Sequence, residues 1–386
     1  MAGGMLSGLR VLEVSSFVAA PLGGMTLAQL GAEVVRVDPP GGAADTGRWP
    51  LTGDGASIYW AGLNKGKRSV TVDQRTPEGA RLLTRLAGWA GIVLTNAPRP
   101  RYDDLAAAVP GLIHVQITGH ADGRPAVDYT VNAETGFPLV TGAPETSGPV
   151  NHVLPAWDIA CGLYAAIAIL AADRERARTG EGRRIRLPLS DVALATAGNL
   201  GFLGEAELNG VDRPRIGNHL YGSFARDFAT KDGRVMLVTL TDRHFTDLVA
   251  LTGAASQVAD LARLTRADFT AEGDRYRHRE SLAALFEPWF AVRTLAEATT
   301  ALAATSVLWS PYRTFRELLD HDHPLLHEID QPGLGRLHVP ASPIDAGGDR
   351  GVRTAPLLGA DTDTVLTELG LDAEAVAALR AAGALG

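Results

Sequence analysis

Hydrophobic positions in this chain follow two rhythms in turn, and the alternation starts at once. Residues 9–14 have the continuous apolar pattern of a buried strand, 15–20 read as a loop, 21–30 as a helix and 33–38 as a second strand. Strand patterns recur at 69–73, 92–96 and 112–118, with helical patterns at 77–88 and 102–109 between them. Strands alternating with helices predict a mainly parallel sheet covered on both faces. After a long apolar run come a turn at 179–182, a basic strand pattern at 183–187 and a second apolar helix from 190 to about 208. Polar, proline-containing sequence at 210–217 breaks the pattern. A separate series follows from 223 to about 305, with a strand at 235–240 and helices at 242–251, 279–290 and 295–304. The predicted division is a large domain beginning at 1–205, a smaller α/β domain at 206–308 and a last part at 309–386, which closes on a helical stretch at 361–385.

The long apolar run, 159–172, carries no charge, and Asp158 is the last ionisable group before it. Fourteen residues fall short of the roughly 20 that a membrane span needs, so the run is expected to be a core helix and no membrane association is expected. Asp is a favoured N-cap and its charge suits the positive end of a helix dipole. A carboxylate at the mouth of an apolar helix is therefore either a cap or a nucleophile, and position alone leaves both open.

Composition narrows the classes. A chain of 386 residues with 46% hydrophobic and 21% charged residues has core enough for two ordinary domains. A net charge of −8 argues against a nucleic-acid surface, so any anionic ligand must be met by local basic residues. Cys161 is the single cysteine, which excludes an intramolecular disulfide and fits a reducing compartment. With no signal-peptide pattern at residues 1–8, a cytoplasmic location is expected.

Candidate chemistry is sparse. The loop at 15–21 lies where doubly wound folds bind nucleotides, yet it lacks GxGxxG, and this argues against a nicotinamide-dependent oxidoreductase. Basic residues gather at Asn64-Lys65-Gly66-Lys67-Arg68 and at Asn96-Ala97-Pro98-Arg99-Pro100-Arg101, with Arg36 on a strand, and such clusters could counter phosphates. His321, His323 and His327 are interrupted by Pro324 and flanked by acids, which reads as a polar turn; no metal is expected. Cys161 sits inside the apolar run without a basic neighbour and is expected to be a small buried hydrophobe. No GxSxG, Walker A or HExxH pattern occurs.

Several segments together resemble the family III CoA-transferases. They are Leu9-Arg10-Val11-Leu12-Glu13, Leu30 to Val37, Asn64 to Ser69, Trp157-Asp158 with the helix behind it, and Thr179-Gly180-Glu181-Gly182. The resemblance implies a Rossmann-like large domain with a parallel sheet built from both ends of the chain, a smaller α/β domain, and an interlocked homodimer. It places the family's catalytic aspartate on Asp158 and its CoA contacts on Ala19, Arg36, Leu63, Asn64, Asn96 and Arg101. No permanently bound cofactor is implied; CoA arrives as part of an acyl-CoA substrate.

Segments 17–24, 151–158, 213–222 and 307–313 narrow the resemblance to a branch that moves CoA between the C1 and C4 carboxyls of one molecule of mesaconate. Arg215, His219 and Tyr221 are then candidates for holding the free carboxylate. The chain departs from family patterns at three places. Pro39 stands where a basic residue is frequent, Val127 stands where the racemase branch has a histidine, and residues 218–224 replace a glycine-rich loop. A proton-transfer racemase is therefore not expected. The alternatives are intermolecular CoA transfer between small acids and a non-catalytic acyl-CoA-binding protein.

Overall fold

A computed structural model of the chain describes residues 4–344 and 352–386. The backbone divides into two compact units. The first comprises Met1–Gly136, His152–Gly210 and Asp322–Gly386, and the second Phe137–Asn151 and Val211–His321.

The first unit begins with β1 (Arg10–Val14), α1 (Ala19–Gln29), β2 (Glu33–Asp38), α2 (Ile58–Leu63), β3 (Arg68–Thr71), α3 (Pro77–Ala90), β4 (Ile92–Thr95), α4 (Tyr102–Leu105), β5 (Ile113–Thr118) and α5 (Asp128–Glu134). The short α6 (Phe137–Val140) belongs to the second unit, and the chain returns to the first with α7 (Ala156–Thr179), β6 (Arg183–Pro188), α8 (Leu189–Asn199) and α9 (Phe202–Asn209). The six strands form one parallel sheet in the order β3-β2-β1-β4-β5-β6. Strand order reverses between β1 and β4, where such sheets open a crevice for ligands at their carboxyl ends.

The pleat sorts side chains to two faces. Leu12, Val35 and Val93 join one core with Leu82 and Leu86 of α3. One residue further along β4 and one back on β2, Leu94 and Val34 face α1, against Gly23 and Gly24. Local signals set the helix ends. Thr76 accepts from Gly79 N at 3.0 Å to cap α3, Pro77 fills its first turn, and Gly91 closes it at φ 67°. Where the sequence pattern ran unbroken from 190 to 208, Gly201 at φ 80° splits the segment into α8 and α9.

Helix α7 runs 24 residues and, by length and composition, is the one helix among those described that could cross a membrane. Its face of Trp157, Cys161, Ala165 and Ile169 is buried within the unit, and its closest packing is on α1, so it is a core helix. It closes on Gly180 at φ 76°, with Arg176 donating to the carbonyls of Gly91 (2.7 Å) and Gly111 (3.2 Å).

The second unit carries β7 (Phe224–Ala229), β8 (Arg234–Thr239), α10 (Asp242–Thr252), α11 (Ala255–Thr265), α12 (Glu272–Arg277), α13 (Arg279–Ala291), α14 (Leu295–Ala303), β9 (Leu308–Pro311) and α15 (Phe315–Leu319). Its antiparallel sheet, β7-β8-β9, packs on a phenylalanine-rich core of Phe224, Phe228, Phe245, Phe286 and Phe290. The chain ends in the first unit with the hairpin β10 (Leu326–Gln331) and β11 (Gly335–Pro340), then α16 (Thr362–Glu368) and α17 (Ala373–Ala381). There Asp361 pairs with the Ser69 backbone in both directions, at 2.8 and 2.9 Å, joining the C-terminal segment to β3.

The unit boundaries differ from the sequence division in three respects, the smallest being that residues 206–210, where α9 ends, stay with the first unit. Residues 137–151, assigned by sequence to the large domain, group with the second unit because Arg215 donates to the carbonyls of Leu139, Thr146 and Pro138. Residues 309–321 do so as well, since β9 pairs with β8 from Val235 to Val238 and completes the small sheet. The expected helix at 361–385 is two helices, parted at Gly370 with φ 80°.

Candidate active site

The loops after β1 and β4 meet at the point where strand order reverses. Asn96 accepts from Ser16 N at 3.0 Å and donates to Ser16 O at 2.7 Å, so one side chain fastens the two loops together. Next to Ser16, Phe17 holds φ 63°, a left-handed conformation rare for an aromatic residue, and its N–H donates to Asp45 at 3.0 Å.

Beneath this loop lies a sealed charge network. Arg36, 1% exposed, forms ion pairs with Asp38 (2.9 Å) and Asp45 (3.0 Å) and donates to Asn64 (3.1 Å) and to Ser15 O (3.3 Å). Lys67 donates to Glu13, Asn64 and Pro21 O within 2.9 Å, and Ser15 donates to Glu13 at 2.7 Å. Burial depresses the Lys67 ammonium to about 8 even with Glu13 against it. Neither Arg36 nor Asn64 presents its side chain to solvent. Of the other expected CoA contacts, Ala19 is buried at the start of α1, Leu63 is half-buried at the end of α2, and Arg101 is exposed and paired with Asp104 at 2.9 Å.

Asp158 lies in the first turn of α7, and it does not cap that helix. The N-cap position is Pro155, and the role falls to Asp128 at the start of α5, whose carboxylate accepts from Trp157 N (2.7 Å) and Asp158 N (3.1 Å). Trp157 adds a second tie by donating its indole N–H to Asn132 at 3.1 Å. The Asp158 carboxylate accepts no hydrogen bond among the described residues. Burial, then the charge of Asp128, raise its pKa from 3.8 to about 7, with Arg48 opposing them. Such a group is half-buried and without a hydrogen-bond donor, opposed only by the charge of Arg48, and it is half ionised near neutral pH.

Glycines bring α1 against this end of α7. A Cβ on Gly162 would stand 2.5 Å from Ala19 O, and one on Gly23 would stand 2.9 Å from Gly162 O. Ala19 therefore lies beside the turn that follows Asp158. Cys161 is fully buried, and burial followed by the Asp158 charge pushes its thiol up to about 12, so it supplies no thiolate.

Three residues of this unit escaped the sequence analysis as site residues: Asp128, Arg48 and Tyr59. The Arg48 guanidinium lies 5.2 Å from the Phe17 ring and 5.3 Å from the Tyr59 ring. Burial raises the Tyr59 pKa, with Arg48 opposing and Asp158 adding to the rise. The signal for Asp128 was its neighbour Val127, noted only for lacking a histidine.

Arg215, His219 and Tyr221 all belong to the second unit. The Arg215 guanidinium is occupied by its three carbonyls, and His219 faces Glu280 at 3.0 Å with Nδ1 unpartnered. Tyr221 packs edge-on to Tyr276 at 5.2 Å under Arg213. Among the described residues no three His, Cys, Asp or Glu side chains gather as a metal ion would require.

A Rossmann-like sheet with a half-buried carboxylate of raised pKa near its switch-point loops can support covalent acyl transfer. Residues 6–362 match CoA-transferase family III, and the chain is an enzyme of that family. It is 48% identical to 2-methylfumaryl-CoA isomerase of Chloroflexus aurantiacus, over 98% of this chain and 97% of that protein. It is 30% identical to succinyl-CoA:mesaconate CoA-transferase of Haloarcula marismortui, over 96% and 97%. Among solved structures, a CAIB/BAIF family protein from Brucella suis superposes with a TM-score of 0.79 at 28% identity, covering 95% of this chain and all of that one.

Proposed function

We propose that the protein moves CoA from the C1 to the C4 carboxyl of mesaconate within one enzyme-bound molecule, converting 2-methylfumaryl-CoA to 3-methylfumaryl-CoA with Asp158 as nucleophile. The observation that carries this is a carboxylate with no hydrogen-bond donor, kept near half ionisation by burial and then by the charge of Asp128, which itself takes the helix amides. The 48% identity to an isomerase of this substrate supports the choice of acid.

Asp158 attacks the thioester carbonyl, the C–S bond breaks, and CoA thiolate leaves a mixed anhydride. Thiolate attacks the aspartyl carbonyl, giving an aspartyl thioester and free mesaconate. The C4 carboxylate then attacks that thioester and expels thiolate, which attacks the C4 carbonyl and frees Asp158. Each bond broken is matched by one formed, and no external acid or base is consumed. Water must be kept out, because anhydride and thioester both hydrolyse.

Ala19, Leu63, Asn96 and Arg101, with the backbone at Asn64, are proposed to line the CoA side. Burial of Arg36 favours a different role for it, holding the β1–α1 loop from behind. The exposed apolar side chains Leu163, Tyr164 and Ile167 of α7, Leu194 of α8 and Leu203 of α9 favour a homodimer that covers them. Composition favours the cytoplasm.

The test is incubation with mesaconyl-C1-CoA and excess labelled free mesaconate, followed by chromatography of the CoA esters. Unlabelled C4 ester is expected. Label in the ester would make the enzyme an intermolecular transferase, the reading that the Haloarcula relative favours. An unchanged C1 ester would overturn the substrate.

A further inference from the structure

We propose that Arg48 is the specificity-determining cation of this enzyme, receiving the carboxylate of a dicarboxylic acyl group that is not engaged in the thioester. The inference rests on Asp158 being the acyl acceptor and adds the class of acid it accepts.

Arg48 stands between two rings, Phe17 at 5.2 Å and Tyr59 at 5.3 Å, and makes no ion pair among the described residues. Aromatic faces fix the plane of a guanidinium, and the Tyr59 hydroxyl accepts a side-chain hydrogen bond from it. The backbone is pinned as well: Arg48 N donates to Asp45 O at 3.2 Å, and Arg48 O accepts from Ser57 at 2.7 Å. The Asp45 carboxylate also holds the Phe17 N–H, so the cation and one of its walls hang from a single residue, the first through its backbone carbonyl and the second through its side chain. Arg36 and Arg101, the cations that sequence put forward for CoA, each have an acid against them. Arg48 is an exposed cation held in place by its neighbours, with no acid paired to it among the described residues.

Its neighbourhood says which anion fits. Arg48 offsets the charge of Asp158, and Asp158 in turn acts on Tyr59, so the three groups share one field in the same unit. A ligand reaching both Asp158 and Arg48 carries an acyl carbon at one end and a negative charge at the other. A planar carboxylate matches the guanidinium fork. The exposed Phe17 ring and half-buried Tyr59 ring suit a short unsaturated spacer. The chemistry also needs such a cation, because the acid detached from CoA is a dianion that must stay bound while its ends exchange places. A fixed guanidinium holds whichever carboxylate is not reacting.

The experiment compares mesaconyl-C1-CoA with tiglyl-CoA, which keeps the carbon skeleton and replaces the free carboxylate by methyl. Hydroxylamine-dependent inactivation reports the covalent adduct formed from each thioester. Losing one partner of a charge pair costs roughly 2 kcal/mol or more, so R48M is expected to lower the mesaconyl-to-tiglyl preference by about 30-fold or more. R48K should retain part of that preference, and R48M, given mesaconyl-C1-CoA labelled in its acyl group, should release labelled mesaconate into solution during turnover. Equal losses for both thioesters in a folded R48M would mean that Arg48 only supports the loop, and an unchanged preference would mean that it meets no substrate; either overturns the proposal. Inactivation of the wild-type enzyme by neither thioester would overturn the acyl role of Asp158, and the inference with it.

Discussion

Two groups of acids belong to the first unit, and the fold treats them in opposite ways. Glu13, Asp38 and Asp45 each face a buried cation, Lys67 or Arg36, at 2.8 to 3.0 Å. Asp128 and Asp158 share the first amides of α7 unequally, with Asp128 holding both and Asp158 left without a donor. Desolvation is the first cause acting on Asp38 and on Asp158 alike. What differs is compensation. Paired charges hold the loop from behind, whereas a carboxylate with no hydrogen-bond donor, opposed only by the more distant charge of Arg48, keeps the reactivity that hydrogen bonds would quench.

The largest effect should come from removing the acid without a donor. D158A is expected to lower turnover of mesaconyl-C1-CoA by about 10⁴-fold or more, as for other enzymes that lose a covalent nucleophile, with the circular dichroism spectrum unchanged. Activity within tenfold of wild type would remove Asp158 from the mechanism. The compensated group should respond in stability instead. K67M strands Glu13, whose Oε2 already lacks a partner, and should cost about 3–5 kcal/mol in urea unfolding. The double substitution E13Q with K67M should recover much of that loss, because no buried charge is then orphaned. A loss below about 1 kcal/mol for K67M would place the pair among weakly coupled surface contacts.

The contrast also marks how far the sequence could be read. The parallel strands and α7 were legible because their apolar runs are local, and β2 occupies the residues expected of it. Strand β7 went unread: Phe224-Ala225-Arg226-Asp227-Phe228-Ala229 mixes charge into a strand, and Arg234 from β8 compensates its Asp227. The charge network was illegible for a related reason. Lys65, Lys67 and Arg68 look like a solvated phosphate site in sequence, but the partner of Lys67 is Glu13 on β1, and Arg36 meets Asn64 from β2. Asp158 was legible as a special residue while its situation was not. Its position suggested a self-made cap, whereas the cap arrives from α5, which no local pattern announces.

A smaller effect separates the two groups by pH. The folded pKa of Asp158, about 7, lies above its ordinary value of 3.8, so the native state binds a proton more tightly than the unfolded chain. That contribution is fully present below about pH 4 and is lost as pH rises through about 7. D158N cannot ionise and escapes the loss. It should therefore match wild-type stability near pH 4 and exceed it at pH 8 by on the order of a few kcal/mol, measured by urea unfolding. A difference that does not depend on pH would mean that Asp158 is solvated like a surface acid.

The smallest predicted effect tests the coupling itself. Asn at position 128 keeps a side-chain oxygen for Trp157 N and Asp158 N, so D128N preserves the helix cap while removing the second cause of the Asp158 shift. The acidic limb of kcat/KM, expected near pH 7 in the wild type, should move to lower pH in D128N. It should stay above the ordinary carboxylate range, because burial, the larger cause, remains. E13Q with K67M, in the other group, should leave the limb in place. A limb that stays at pH 7 in D128N would show that burial alone sets the Asp158 charge, and Asp128 would then be a cap and nothing more.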